Sequence, residues 1–233
     1  MEFALLGWPV DEPRLRLDYR RFSYAGKFVT GNTGIAVARG EPPVDHDTPD
    51  GDDPQGVDGL ASLPEGLSAA AFDTDILVAA AFNADRTDAE TLWIRYLTVR
   101  NDLRGSGLRL GPRLAAFVTA EALDRGYDRV RIAVNNVFSY HALYRAGFGT
   151  TGRETGLAEL ILQRPTGQRA AVSTSGYQRG LDRFRGRDGL SAAEESFLHD
   201  HEAADPPDPV EDNDRSQTGT DDSGVSNPQG SSE

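Results

Sequence analysis

Residues 92–148 read LWIRYLTVRNDLRGSGLRLGPRLAAFVTAEALDRGYDRVRIAVNNVFSYHALYRAGF, and this stretch decides the fold. The run Leu92–Val99 is rich in β-branched and aromatic residues and alternates its two faces, which predicts a strand. Arg113–Arg125 places apolar side chains near helical spacing, and Pro112 suits the first helical position because its missing N–H has no partner there. Val130–Val134 predicts a short buried strand. Together these segments predict a βαβ unit with a glycine-rich turn at the strand-to-helix corner.

The turn itself, Arg104–Gly111, suggests a place where an anion could bind. A helix N-terminus presents backbone N–H groups without partners and a partial positive charge. Glycines let a phosphate approach the backbone closely, and Arg104 and Arg109 add positive charge. The turn has no Gly-Lys-Ser/Thr ending, which argues against a Walker-type nucleotide loop. Two interpretations stay open on the turn alone: a site for a diphosphate or similar anion, and a tight structural corner.

The second half of the stretch, Asn135–Phe148, adds another motif. With the turn before it, it resembles the GNAT superfamily of acyl-CoA N-acyltransferases, whose members carry an Arg/Gln-x-x-Gly-x-Gly/Ala turn and later an Asn, a short helix and Leu-Tyr-x-x-x-Gly-Phe. Arg104–Gly107 matches the first motif and Leu143–Phe148 the second, while Arg109 stands where the last small residue of the turn is expected.

The resemblance implies an α/β fold (α+β in some schemes) with a mixed, mostly antiparallel central sheet, a βαβ acyl-CoA-binding unit and flanking helices. It also implies an N-acetyltransferase that moves an acetyl or other acyl group from acetyl-CoA to a primary amine by direct transfer. The chain has no cysteine, which excludes a cysteinyl acyl-enzyme. The expected acceptor is a small-molecule or peptide amine; nucleic acid, membrane and metal are not expected, and a homodimer is possible. The alternatives are a non-catalytic acyl-CoA sensor and a protein-interaction module.

The same resemblance implies that the strand ending Leu97–Val99 diverges from the Val130–Val134 strand. Its backbone N–H groups are then expected to bond pantetheine and the thioester carbonyl. Asn136 and Ser139 either bond the pantetheine amides or orient Tyr144, or they cap a helix. The residues expected to contact acetyl-CoA are Leu97, Thr98, Val99, Arg104, Gly105, Ser106, Gly107, Leu108, Arg109, Gly111, Asn136, Ser139 and Tyr144.

Tyr144 is the candidate catalytic acid, because a well-placed phenol can protonate a departing thiolate. The alternative for Tyr144 is packing against Phe148. The general base is less specified: Glu90, Asp85 and His141 are candidates beside a water chain. The run His199–Glu202 looks like a metal motif, but residues two apart on a helix do not share a face.

The other segments were assigned by pattern. Arg14–Arg20 and Thr33–Arg39 predict strands, and Leu67–Phe72 with Ile76–Asn83 predicts a hairpin. Leu157–Leu162 is expected to be the last strand.

The domain organisation follows from composition. Residues 1–164 are expected to form the GNAT-like domain, with a disordered acidic insertion at residues 40–66. Residues 165–202 are expected to be a helical C-terminal appendage with a capping box at Ser191, and residues 203–233 a disordered acidic tail. The insertion and the tail hold most of the negative charge behind the net charge of −13, so the remainder of the chain is close to neutral.

The composition also suggests an environment. Lys27 is the single lysine beside 23 arginines, and Asp outnumbers Glu. Acid-rich, lysine-poor chains are typical of salt-loving organisms, which favours a halophilic archaeon or a similar high-salt source. The N-terminus lacks a basic region and the longest apolar run is Ile76–Phe82, so neither a signal peptide nor a membrane span is expected. We therefore expect a cytoplasmic protein.

Overall fold

The computed structural model of the protein describes residues 1–41, 63–64 and 68–211. In these residues seven strands form one sheet in the order β1-β2-β3-β4-β5-β7-β6. Every neighbouring pair is antiparallel except β4 and β5, which are parallel. The expected mixed, mostly antiparallel sheet with flanking helices is therefore confirmed. The strands are β1 (Glu2–Gly7), β2 (Gly34–Arg39), β3 (Ile76–Ala84), β4 (Thr91–Val99), β5 (Arg129–Val134), β6 (Gly149–Glu154) and β7 (Leu160–Pro165), and the helices are α1 (Leu110–Asp124), α2 (Val137–Arg145), α3 (Thr174–Arg185) and α4 (Ala192–Asp200).

One face of the sheet packs against α1 and α2 and forms the larger core. Alternate side chains of β4 and β5, such as Leu92, Ile94, Val130 and Ile132, meet the apolar side of α1 there. This alternation follows from the two-residue period of a strand, which sends successive side chains to opposite faces. The predicted strand–helix–strand unit is confirmed, although α1 begins at Leu110, two residues before Pro112.

Residues 15–28 cover the opposite face of the first half of the sheet. Leu15, Leu17, Phe22 and Phe28 are buried there against β2 and β3. The strand predicted at Arg14–Arg20 is wrong: this segment is irregular, and Leu15 N donates to Phe28 O instead of joining a ladder. Its alternation arises because Leu15 and Leu17, two residues apart, both enter this core, whereas Tyr19 is exposed.

The hairpin predicted from Leu67 is also wrong for the residues described. Ala69–Ala71 is a 3₁₀ turn capped by the Ser68 hydroxyl, and β3 forms its hairpin with β4 across the Asp85–Glu90 connection. Two edge strands, β1 and β6, were not predicted. The last strand is β7, which begins three residues after the expected Leu157.

The C-terminal helices predicted between residues 165 and 202 are present as α3 and α4. Ser191 and Glu194 form the predicted capping box of α4. Tyr177, Leu181 and Phe184 of α3 are buried in the same core as α1 and α2.

The two segments that composition marks as disordered lie mostly outside the described residues, which omit residues 42–62, 65–67 and 212–233. Residues 203–211, at the start of the predicted tail, are among the described residues. Val210 is buried there, and its N–H donates to Arg145 O at 2.7 Å. In the described part of the chain, no helix is both long and apolar enough to cross a bilayer.

Candidate functional site

The sheet opens between β4 and β5. Their parallel pairing runs only from Thr91 with Arg129 to Ile94 with Ile132. Beyond that point, β4 continues to Val99 on β3, while β5 continues to Val134 on β7. The two strands therefore separate into a wedge-shaped gap at their carboxyl ends, as the resemblance implied.

The backbone of β4 presents unpaired groups to this gap. Arg100 N donates to Leu77 O on β3, and alternate residues of a strand point their N–H groups the same way, so Thr98 also faces β3. Leu97 and Val99 consequently face the gap. In agreement, Val99 O accepts from the Arg104 side chain rather than from β3. Of the three predicted backbone contacts on β4, Leu97 and Val99 are the two whose N–H groups are available.

The glycine-rich turn lies at the same end of the sheet. Gly105 (φ 76°), Gly107 (φ 80°) and Arg109 (φ 52°) adopt left-handed backbone conformations, and a Cβ added at either glycine would meet no atom within 4 Å. Gly111, in the first turn of α1, approaches the side chains of Val99 and Leu97. The turn and the gap are thus neighbours.

This turn has the donors that a diphosphate requires. Among the described residues, no backbone acceptor pairs with the N–H groups of residues 107–111; Ser106 N before them donates to Leu103 O, and Arg113 N after them donates to Arg109 O. A 15-residue helix adds its partial positive charge at this point. The open space at Gly105 and Gly107 and these unpaired donors fit a phosphate group.

The side chains of Arg104, Ser106 and Leu108 make contacts within the protein. Arg104 Nη2 donates to Ser23 Oγ at 2.9 Å and therefore ties the turn to the segment that covers the first half of the sheet. Ser106 Oγ donates to Leu103 O, and Leu108 packs against the core. Arg109 makes no side-chain capping bond to α1.

Asn136 and Ser139 act as a helix cap. Asn136 Oδ1 accepts from Ser139 N at 2.8 Å and so begins α2. Of the two interpretations left open by the sequence, capping is the one for which the structure shows a bond.

Tyr144 is buried on the β6 side of α2. Its hydroxyl accepts from Thr150 N at 3.3 Å and lies 3.0 Å from the Tyr140 hydroxyl, while its ring meets Tyr177 edge to face. Burial raises the pKa of Tyr144, although the bonds to Tyr140 and Thr150 act in the opposite direction. In the strand order, β7 and β5 stand between β6 and the gap.

His141 has both ring nitrogens engaged. Arg145 Nε donates to His141 Nε2 at 3.3 Å, so Nδ1 carries the hydrogen and meets the Tyr177 hydroxyl at 2.8 Å. Burial, followed by the charges of Arg145 and His201, lowers the pKa of His141 to about 4. The imidazole is therefore neutral at pH 7, but the lone pair that a base would use is occupied.

The two acidic candidates lie at the other end of β4. Glu90 is exposed and paired with Arg129 at 3.1 Å. Asp85 accepts from the backbone and hydroxyl of Thr87, which lowers its pKa. Five residues separate Glu90 from the first unpaired position of β4, which is roughly 16 Å along a strand. This separation places the Glu90 carboxylate away from the gap.

Sequence reasoning missed a polar cavity on the face of the sheet opposite α1. Directly paired residues share a face, and the pairs place Asn83, Trp93, Arg131, Gln163 and Gly149 in one row across five strands. The last four of these line a cavity of about 790 Å³. The signal in the sequence was the pair of arginines at alternate positions of β5, Arg129 and Arg131, which a buried-strand interpretation does not explain.

No family model and no curated protein matches the chain. Among solved structures, the chain is similar to an N-acetyltransferase from Staphylococcus aureus Mu50, with 18% identity over 40% of this chain and 62% of that chain and a TM-score of 0.35. It is similar to nourseothricin acetyltransferase, with 18% identity over 71% of this chain and 98% of that chain and a TM-score of 0.41.

A third similar structure is the PaiA N-acetyltransferase from Thermoplasma acidophilum in complex with coenzyme A, with 14% identity over 39% of this chain and 54% of that chain and a TM-score of 0.33. The chain thus spans less than two thirds of the length of the first and third of these proteins. The structural neighbours are acetyltransferases of low sequence identity.

Proposed function

We propose that the protein is an N-acetyltransferase that transfers an acetyl group from acetyl-CoA directly to a primary amine. One observation carries the proposal: the edge of β4 at Leu97 and Val99 faces the gap beside the glycine turn, where the N–H groups of residues 107–111 have no backbone acceptor among the described residues. The first feature suits the amides of an extended pantetheine arm, and the second suits a diphosphate. Acyl-CoA carries both groups.

The residues of the chain then have distinct roles. The N–H groups of Leu97 and Val99 hold the pantetheine arm and polarise the thioester carbonyl, as fixed backbone donors do at a developing oxyanion. Acetyl-CoA supplies the activated acyl group. Glu90 is paired with Arg129 away from the gap and the acceptor nitrogen of His141 is occupied, so we assign removal of the amine proton to a water chain. Tyr144 remains the proposed general acid, and its raised pKa keeps it protonated at neutral pH.

Thermal unfolding with acetyl-CoA tests the proposal. A ligand that binds only the folded state increases the free energy of unfolding and therefore raises the melting temperature. At a ligand concentration a hundred times the dissociation constant, the increase is about 2.7 kcal/mol. We expect a shift with acetyl-CoA, CoA and desulfo-CoA, which share the diphosphate and pantetheine, and a smaller shift with ATP. If ATP stabilises the protein as strongly as acetyl-CoA, or if none of them does, the proposal fails.

A non-catalytic acyl-CoA sensor is the second candidate, and the positions of Glu90 and His141 favour it, because neither offers a free basic group to the gap. Thiol release separates the two functions. Turnover with any amine of a broad panel supports the enzyme, whereas acetyl-CoA binding without thiol release from every member supports the sensor.

Three further properties are part of the proposal. The acceptor is a small-molecule or peptide amine, the protein works in a cytoplasm of high salt, and it forms a homodimer. Composition supports the second, through the excess of Asp and the single lysine. The elution volume in size-exclusion chromatography checks the third.

A further inference from the structure

Arg95 occupies an irregular position in the sheet. Ile94 pairs with Phe82 and Tyr96 pairs with Ala81, so Arg95 is an extra residue without a partner on β3, which is a β-bulge. It is also the first residue of β4 beyond the last pair with β5. The bulge therefore lies where the gap begins.

Two contacts fix the guanidinium of Arg95 on the cavity face. Its Nε donates to Asn83 Oδ1 at 2.7 Å, and its Cζ lies 4.9 Å from the centroid of the Trp93 ring. Asn83 and Trp93 are paired members of the row that crosses this face, and Trp93 lines the cavity. The contacts use Nε and one face of the group, so the two terminal nitrogens have no hydrogen-bond acceptor in the part of the chain that the structure describes.

The surrounding carboxylates do not satisfy this arginine. Asp85, the acid whose charge acts most on Arg95, already accepts two bonds from Thr87 and faces Arg131. Asp88 accepts from Thr91 and pairs with Arg129 and Arg131. Arg131 in turn donates to Gln163. Arg95 is thus a half-buried cation whose terminal nitrogens have no acceptor among the described residues, beside a cavity in which Asp85, Asp88 and Arg131 are engaged with other groups and Arg153 is exposed.

We propose that Arg95 binds a carboxylate of the acceptor, so that the acceptor class is amines that carry a carboxylate, such as amino acids. A half-buried guanidinium loses hydration, and burial lowers the pKa of Arg95, so an anionic partner is favourable there. The two terminal nitrogens match the two oxygens of a carboxylate in a bidentate pair. With its carboxylate on Arg95, the acceptor lies on the cavity face at the entrance of the gap.

This inference rests on the proposed function, and amino acids paired with their amides test it. Each amide keeps the amine and the side chain but removes the negative charge. Thiol release from acetyl-CoA gives kcat/KM for both members of every pair. We expect the acids to be preferred by about tenfold to a hundredfold, the range that a hydrogen-bonded ion pair provides.

Three variants assign the preference to Arg95. Arg95→Gln should abolish the preference for acids over amides in kcat/KM. Arg95→Lys keeps the positive charge but not the planar guanidinium, so it should retain a small part of that preference. Arg86→Gln is the matched control, because Arg86 is an exposed arginine of the same hairpin whose charge also acts on Arg95. This control should keep the preference of the wild type. The acetyl-CoA melting shift of each variant shows that it is folded.

Binding of products gives a readout that does not depend on turnover. N-acetyl amino acids should raise the melting temperature of the wild type more than N-acetyl amino acid amides do, and Arg95→Gln should remove the difference. Equal kcat/KM for acids and amides, equal stabilisation by the two product series, or a preference that survives in Arg95→Gln overturns the inference and leaves the proposed function intact. A missing acetyl-CoA shift in the wild type would instead overturn the proposed function, and this inference with it.

Discussion

Burial and hydrogen bonding act in opposite directions on the Tyr144 hydroxyl. Burial raises its pKa, and the contacts with Tyr140 and Thr150 lower it by a smaller amount. The result is a group that stays protonated at neutral pH, which a general acid requires. The same raised pKa makes proton transfer to a thiolate less favourable, so catalysis by Tyr144 depends on its placement when acetyl-CoA is bound.

Tyr144→Phe is expected to slow turnover and leave acetyl-CoA binding in place. The change removes the acceptor of Thr150 N, which costs about 1 kcal/mol of folding stability. Tyr177→Phe is the matched control, since it removes a buried hydroxyl of the same aromatic cluster that lies against His141 Nδ1 and makes no hydrogen bond to the Tyr144 hydroxyl. We expect kcat to fall only in the first variant. Equal kcat in both would restrict Tyr144 to a structural role.

Residue roles were the part of the site least accessible from the sequence. Asn136 could be placed at a helix start because capping depends on residues three positions away. The state of His141 could not be predicted, because it depends on Tyr177, 36 residues later in the chain. The position of Arg95 in a β-bulge could not be predicted for the same reason, because a bulge is defined by the pairing with β3.

At the scale of elements, the glycine turn gives a controlled comparison. Gly107 and Gly126 flank α1, both have φ 80°, and both have open space where a Cβ would lie. Gly107→Ala and Gly126→Ala should therefore impose a similar backbone strain of about 1 kcal/mol. Only the first places a methyl group where a phosphate approaches.

We expect acetyl-CoA to bind Gly107→Ala at least about tenfold more weakly than the wild type, a loss of 1.4 kcal/mol. Gly126→Ala should bind with unchanged affinity despite a similar loss of melting temperature. Isothermal titration calorimetry measures both dissociation constants. Equal affinities in the two variants would remove the turn from the binding site.

The sequence predicted β4, α1, β5 and α2 because their periods are local properties of the chain. It did not predict β6, whose residues Gly149–Glu154 have little apolar content and pair through a bulge with β7. It also predicted a strand at Arg14–Arg20, since an irregular segment that buries Leu15 and Leu17 has the two-residue spacing of a strand. Strand order, and hence the gap, depends on contacts that no local pattern contains.

For the whole molecule, the negative charge is concentrated in residues 40–66 and 203–233. We expect the melting temperature to rise with KCl and to continue rising above about 0.5 M, where the Debye length is already below roughly 5 Å. Screening of long-range repulsion is nearly complete there, so a further rise reports salt adaptation rather than screening. Circular dichroism at increasing KCl measures it, and a plateau below that concentration would contradict a high-salt origin.

The parallel contact between β4 and β5 joins two half-sheets, β1–β4 and β5–β7–β6, through only four paired positions. On the proposed function, the cosubstrate lies along the remainder of that seam and bonds to the backbone of β4. The amides of its pantetheine arm then bond to β4 as a neighbouring strand would, at the positions where β4 and β5 do not pair. The same hydrogen bonds to the β4 backbone would therefore position the cosubstrate for catalysis and link the two half-sheets. These bonds break each time the product CoA leaves.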